Sequence, residues 1–190
     1  NKSKLLSLKQ LKDNKIFIKP NSVEKFDEII PQREREDQFV FAGRLDKLKG
    51  VGILLRAWKK IGDSSSKLII CGIGPEEEWC KDFVAENHLN VELRGFLSND
   101  KVRKLIACSK ALILPTQWYE GFPMSIVEAY SVGTPVVCSD LGNVGSIVQE
   151  GITGCKFKSD SIDELANAIK RIEIYKNIYE TTYERYKKKY

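Results

Sequence analysis

The sequence predicts an α/β fold: a doubly wound parallel sheet of about six strands with helices on both faces. Short apolar runs alternate with stretches of helical periodicity from residue 39 onward, the pattern of βαβ units. The runs are apolar throughout, as in strands covered on both sides, whereas a strand with one wet face would alternate. Capping and helix-breaking residues fall between the two kinds of segment.

Taken in order, "FVFA" (39 to 42), "KLIIC" (67 to 71), "VELRGF" (91 to 96), "ALIL" (111 to 114) and "PVVC" (135 to 138) read as strands, and "TGCKF" (153 to 157) adds a short sixth. Between them Val51, Leu54, Leu55, Trp58 and Ile61 recur at helical spacing, as do Trp79, Phe83 and Val84, then Val102, Leu105, Ile106 and Ala107. Ser98-Asn99-Asp100 is a cap cluster before the third helix. Pro123 suits the first turn of the fourth, which Gly133 and Pro135 end. "SDSIDELANAIKRI" (159 to 172) is an amphipathic helix with Ser159 as its capping residue, and about seven helices are expected in all.

The ends are less regular. Residues 1 to 15 form a polar, Lys-rich lead-in, "IFIKPNSV" (16 to 23) reads as a strand running into a Pro-Asn turn, and 24 to 38 is a charged connection. After the main unit, 16 to 172, comes a helix over 173 to 190, and from Ile172 onward Tyr175, Tyr179, Tyr183, Tyr186 and Tyr190 recur as a stripe. Such a stripe either faces this core or packs on a preceding domain outside this sequence, and the domain assignment expected here is the second.

Composition narrows the class. With 190 residues, 42% hydrophobic and 30% charged, the chain suits one globular domain. Its net charge of +5 suits an anionic ligand but selects no partner alone. Five cysteines, Cys71, Cys80, Cys108, Cys138 and Cys155, lie far apart without zinc spacing, the usage of reduced thiols in a cytoplasmic protein. The single histidine, His88, reads as a helix-end residue, since one His builds no metal cluster. There is no signal-peptide pattern and no apolar run of membrane-spanning length. Met124 is the only methionine, so the sequence is read as a piece of a longer protein.

In open α/β sheets ligands bind beyond the carboxyl ends of the strands, so the loops there carry the chemistry. After the first strand, "GRLDKLKG" (43 to 50) lets the chain turn at Gly43 and sets Arg44 and Lys49 near a helix start, either as a diphosphate site or as solvated charges. After the second, "CGIGPEEE" (71 to 78) lacks the third glycine of a dinucleotide fingerprint, and its three glutamates would repel a pyrophosphate. A tight strand-to-helix turn is the preferred account. The fourth loop, "PTQWYEGFP" (115 to 123), leads into a helix in which Met124, Val127, Ala129, Tyr130 and Val132 surround Glu128. Glu120 and Glu128, with seven residues between them, need either ion-pair partners or a ligand. Two carboxylates and two cations around one cleft match a ligand that offers both hydroxyls and phosphates, a sugar nucleotide.

These segments, "FVFAGRLDKLKGVGILLRAW", "KLIICGIGP", "NVELRGFLS", "ALILPTQWYEGFPMSIVEAYSVGTPVV" and "GITG", resemble the successive signatures of retaining nucleotide-sugar glycosyltransferases of the GT-B fold, family-4 type, from Ile16 to Ile172. The resemblance implies the C-terminal, Rossmann-like, donor-binding half of that fold. It implies that Arg44 and Lys49 contact the donor diphosphate beside Gly43, and that Glu120, with Gly121, Phe122 and Pro123, contacts the sugar. Glu128 then holds the ribose, and Gly95-Phe96-Leu97 lies against the base. Glu120, Arg44 and Lys49 are the implied catalytic groups, without metal or cofactor, in polysaccharide biosynthesis. The implied partners are the nucleotide-diphosphate sugar, a glycan or lipid-linked acceptor and the N-terminal domain, but no nucleic acid. Localisation is expected to be cytoplasmic, with peripheral contact at the inner membrane face open to the basic "YKKKY" end.

One departure from the family pattern stands out. Where many members read Gly-Gly-x-Pro-Glu, this chain has Gly142-Asn143-Val144-Gly145-Ser146, so no role of that glutamate carries over. Other readings are a sugar-nucleotide epimerase of the same fold, a non-catalytic nucleotide-sugar-binding module and, more distantly, an NAD enzyme. With the N-terminal half elsewhere, this chain alone is expected to turn over little or nothing.

Overall fold

The computed structural model describes residues 29–62, 65–121 and 123–190. The strand expected over 16 to 23, the lead-in over 1 to 15, the first part of the charged connection and Phe122 lie outside the described residues. Six strands form one sheet: β1 (Gln38–Ala42), β2 (Lys67–Cys71), β3 (Val91–Leu93), β4 (Ala111–Leu114), β5 (Val136–Ser139) and β6 (Gly154–Phe157). All neighbours are parallel, in the order β3-β2-β1-β4-β5-β6. The helices between and after them are α1 (Val51–Ile61), α2 (Glu77–Glu86), α3 (Asn99–Cys108), α4 (Met124–Ser131), α5 (Gly142–Ile147), α6 (Ile162–Ile172) and α7 (Ile178–Lys189), with one 3-10 turn at Gln32–Glu34.

The pleat explains the unbroken apolar strands. On β1, Phe39 and Phe41 point to one face, where Leu54, Trp58, Leu165 and Ile169 of α1 and α6 cover them, while Val40 joins Ile106, Ile126 and Tyr130 of α3 and α4 on the other. Phe39 meets Trp58 edge to face at 5.7 Å. Four of the five cysteines are buried and Cys108 partly so; none is in a disulfide. His88 is exposed at the end of α2 in a left-handed conformation, as a helix-end residue would be.

Several boundaries differ from expectation. β3 ends at Leu93 because Gly95 takes a left-handed turn, φ 60°, back toward β2. The cap of α6 is Ser161, whose hydroxyl accepts the Glu164 N–H at 3.2 Å, and not Ser159. Pro123 is the residue before α4 and not part of its first turn. The end of the charged connection turns inward at Arg35. Its guanidinium donates to Ile30 O, Ser109 O, Thr134 Oγ1 and Val132 O at 2.6 to 3.1 Å and lies 4.6 Å over the Tyr179 ring. Burial pulls its pKa down to about 10. Tyr179, Thr182 and Tyr186 of α7 are buried on this domain, α7 lying against α4, so the stripe has a core-facing role here.

The strand order reverses between β1 and β4, and the loops after those two strands are stitched together. Gln117 N–H donates to Leu48 O at 2.8 Å and Thr116 Oγ1 donates to the same carbonyl at 3.2 Å. Gly50, the residue before α1, has φ 76°, and a Cβ there would lie 1.9 Å from Pro115 O. Only glycine combines that backbone with that approach. Gly50→Ala should therefore lower stability by at least about 2 kcal/mol, read as the urea midpoint, and should also weaken ligand binding by pushing the loops apart.

Candidate active site

A cavity of about 700 Å³ opens at the carboxyl ends of β1 and β2, floored by Gly43 and Gly72 and walled by Phe96, Leu97, Val102 and Glu128. Arg44 stands at its rim, its side chain 69% exposed and 3.2 Å from Asp46. A second recess of about 30 Å³ holds Lys49 and Glu120, and Ser125, in the first turn of α4, lines both spaces. The two are compartments of one cleft at the switch point of the sheet, where open α/β folds bind ligands.

Each predicted residue except Phe122, which lies outside the described residues, has a definite place. Gly43, Arg44, Phe96, Leu97 and Glu128 line the large cavity, and Lys49 and Glu120 the small one. Gly95 stays behind the wall, its carbonyl accepting the Gly72 N–H at 2.7 Å. Gly121 is exposed and Pro123 buried at the head of α4, so neither lines these spaces. The tight exit expected of Gly43 is carried by its neighbour. Gly72 sits at φ 141°, and a Cβ there would be 1.8 Å from Gly43 O.

The charges are arranged more closely than their loops alone indicate. Lys49 Nζ is 2.7 Å from Glu120 Oε1, so the cation of one loop neutralises the carboxylate of the other. Asp46 organises the first loop, its carboxylate accepting the Lys49 N–H at 2.8 Å while facing Arg44. Across the cavity, partial burial among apolar neighbours raises the pKa of Glu128, and Arg103 on α3 opposes that rise. The start of α4, where Ser125 lines both spaces, adds the positive potential of a helix N-terminus to the cleft.

Sequence reasoning missed some of this wall. Asp46 stood inside the loop that was read, and the Asp-x-x-Lys turn was a signal for it. Ser125 follows from helix phase once Glu128 is placed, three residues on along the same helix, whereas Val102 comes from α3 and only the packing of the two helices brings it there. The "CGIGP" turn was set aside as structural, yet Gly72, Ile73 and Gly74 all line the cavity. Among the described residues no group of three or more His, Cys, Asp and Glu is placed to hold a metal ion, and no helix is long and apolar enough to cross a membrane.

Fold and cleft together are those of a Rossmann-like domain with a site at its switch point, as in one half of a GT-B protein. Comparison with known proteins agrees. Residues 22–189 match the family "Glycosyl transferases group 1", and the chain belongs to that family. An uncharacterized glycosyltransferase of Methanocaldococcus jannaschii is 29% identical over 143 residues, which are 74% of this chain and 36% of that protein. Among solved structures, the apo form of the lipopolysaccharide outer core galactosyltransferase WaaB superposes with a TM-score of 0.79 at 24% identity, covering 100% of this chain and 55% of that one. HepE of Anabaena, in complex with UDP, gives 0.71 at 22% identity over 82% of this chain and 45% of its own. This chain thus spans about a third of the length of the curated relatives it matches and about half that of the structural ones.

Glu128 supplies a test with a definite sign. Its folded pKa is raised, so the folded state holds the proton more tightly than the unfolded chain. Its contribution is fully present below the ordinary glutamate range and is lost as pH rises through the folded value. Glu128→Gln should therefore match or exceed the wild-type melting temperature at pH 7, with the difference shrinking as pH falls toward the unfolded carboxyl pKa. If this carboxylate faces a ligand, the same variant should bind nucleoside diphosphates roughly ten-fold or more weakly, measured by titration calorimetry.

Proposed function

We propose that this chain is the donor-binding half of a retaining glycosyltransferase, which moves a sugar from a nucleoside-diphosphate sugar to a glycan or lipid-linked acceptor. The observation that carries this reading is the Lys49–Glu120 pair, seated in the recess beside a cavity that ends at Glu128. A ligand spanning both must offer anionic oxygens to the cations and hydroxyls to the carboxylates, in alternation.

In this reading the base lies against Phe96 and Leu97, and Glu128 accepts hydrogen bonds from the ribose hydroxyls. The diphosphate faces Arg44, Lys49 and the head of α4. Glu120, with the backbone at Gly121 and Phe122, receives hydroxyls of the sugar. Transfer breaks the bond between the anomeric carbon and the phosphate oxygen and forms one from that carbon to the acceptor hydroxyl oxygen, whose proton passes to the departing diphosphate on which negative charge has developed. Arg44 and Lys49, held in place before the bond breaks, stabilise that charge without reorganising, which is how electrostatic catalysis lowers a barrier. No residue of this cleft is required as a general base. The acceptor is held elsewhere, in the part of the protein corresponding to the remaining length of the relatives, so this chain alone binds donor and turns over little. Because HepE is described with UDP, uridine diphosphate is the first nucleotide to try.

In the full-length protein, UDP or another nucleoside diphosphate at about a hundred times its Kd should add about 2.7 kcal/mol of stability, seen as a rise of several degrees in melting temperature. Arg44→Ala and Lys49→Ala should each weaken that binding roughly ten- to a hundred-fold. An epimerised sugar as the main product, in place of transfer, would argue for another reaction. An unchanged melting temperature with UDP, GDP and ADP alike would remove the reading.

A further inference from the structure

The turn that carries Glu120 is held from behind by a residue outside both compartments. Asn143, on α5, donates its side-chain amide to Glu120 O at 3.2 Å and also to Gly121 O. Both acceptors are carbonyls, so the amide must present its NH₂ to them; the flipped orientation would set oxygen against oxygen. The two partners are consecutive peptide groups of one turn, 22 and 23 residues away in sequence. Beside them the Tyr119 ring lies on Gly142, where a Cβ would come within 2.7 Å of it.

The base of this contact is firm. Val144, Gly145 and Ile147 of α5 are buried, Ser146 Oγ donates to Asn143 O at 2.9 Å, and Gly145 N–H donates to Leu141 O at 3.2 Å. Gly145 allows α5 to sit where a Cβ would come within 2.4 Å of the Asp140 carboxylate. On the other side of the turn, Lys49 fixes the Glu120 carboxylate. Glu120 is therefore held at both ends, its side chain by a cation on the first loop and its carbonyl by an amide on α5. A trans peptide aims its N–H opposite its C=O. A carbonyl of Glu120 drawn toward Asn143 thus turns the Gly121 N–H away from α5.

We infer that Asn143 is a positioning residue for the sugar end of the site. By holding the two carbonyls at Glu120 and Gly121, it sets the direction of the Glu120 carboxylate and of the Gly121 N–H toward the transferred sugar, while leaving the nucleotide end untouched. This rests on the donor-binding reading above. It assigns to Asn143 a role that the Gly142-Asn143-Val144-Gly145-Ser146 segment did not disclose, because its partners lie in another loop.

The test uses the full-length protein and a panel of UDP-, GDP- and ADP-sugars with their parent diphosphates. The affinity of the tightest pair is measured by calorimetry, and slow hydrolysis of that donor by water is followed without acceptor. Asn143→Ala should leave the Kd of the diphosphate within about two-fold and the melting temperature nearly unchanged, while donor hydrolysis falls roughly ten-fold for the loss of two hydrogen bonds. Asn143→Asp has the same shape but turns a carboxylate oxygen on the two carbonyls, so it should be slower than Asn143→Ala. Equal rates for wild type and Asn143→Asp, or parallel losses of diphosphate affinity and hydrolysis in both variants, would overturn the inference. A wild-type protein that binds no diphosphate in the panel would instead overturn the underlying reading. The two failures are therefore separable.

Discussion

The contact on which the site depends is the close approach of two backbone segments at the switch point, Leu48 to Gly50 against Pro115 to Gln117. Neither segment has regular structure, and each follows a strand that pairs with the other, β1 with β4. The sheet brings the loops to the same edge but leaves their spacing open. Gly50, pressed to the Pro115 carbonyl, and the two donors on Leu48 O close that spacing. Lys49 lies inside the first segment and Glu120 just beyond the second, so their ion pair is a consequence of backbone contact. A side chain at position 50 would act on the site through distance, without touching it.

Around that seam the cleft trades stability for readiness. Glu128 is kept among apolar neighbours, with Arg103 opposing the cost, and Arg44 is left largely in solvent. The fold offsets these with satisfied polar groups away from the cleft. Arg35 closes four acceptors between the start of the domain and the ends of α3 and α4, and the buried Tyr130 hydroxyl donates to Thr153 Oγ1 at 2.6 Å. Strained or under-satisfied groups at a functional site with compensation elsewhere are a common arrangement.

Most of the fold was legible because its signals are local. Strands buried on both faces print themselves as "FVFA" or "KLIIC", and the helices between them as apolar positions at helical spacing, so element type and order follow from periodicity. The placement of Arg44, Lys49, Glu120 and Glu128 around one cleft was legible for the same reason, since the loops and the helix that carry them directly follow strands of the sheet. What local pattern does not encode is distance across the chain. The Lys49–Glu120 pair, the Asn143 amide on the other loop and the inward turn of Arg35 each join residues separated by more than twenty positions. Caps failed for a different reason. Ser159 and Ser161 both satisfy the composition of a helix start, and only the hydroxyl's reach to Glu164 N decides between them.

The Lys49–Glu120 pair also bears on what the cleft refuses. In the free protein each charge already has its complement, so an incoming ligand exchanges contacts and does not simply add them. A small inorganic anion can draw Lys49 to itself, but it brings no hydroxyl for the carboxylate it leaves behind, and the stranded Glu120 then counts against it. A ligand that carries anionic oxygen and polyol at the correct separation satisfies both partners in one step. On the donor-binding reading, the pair therefore favours such a ligand over free phosphate.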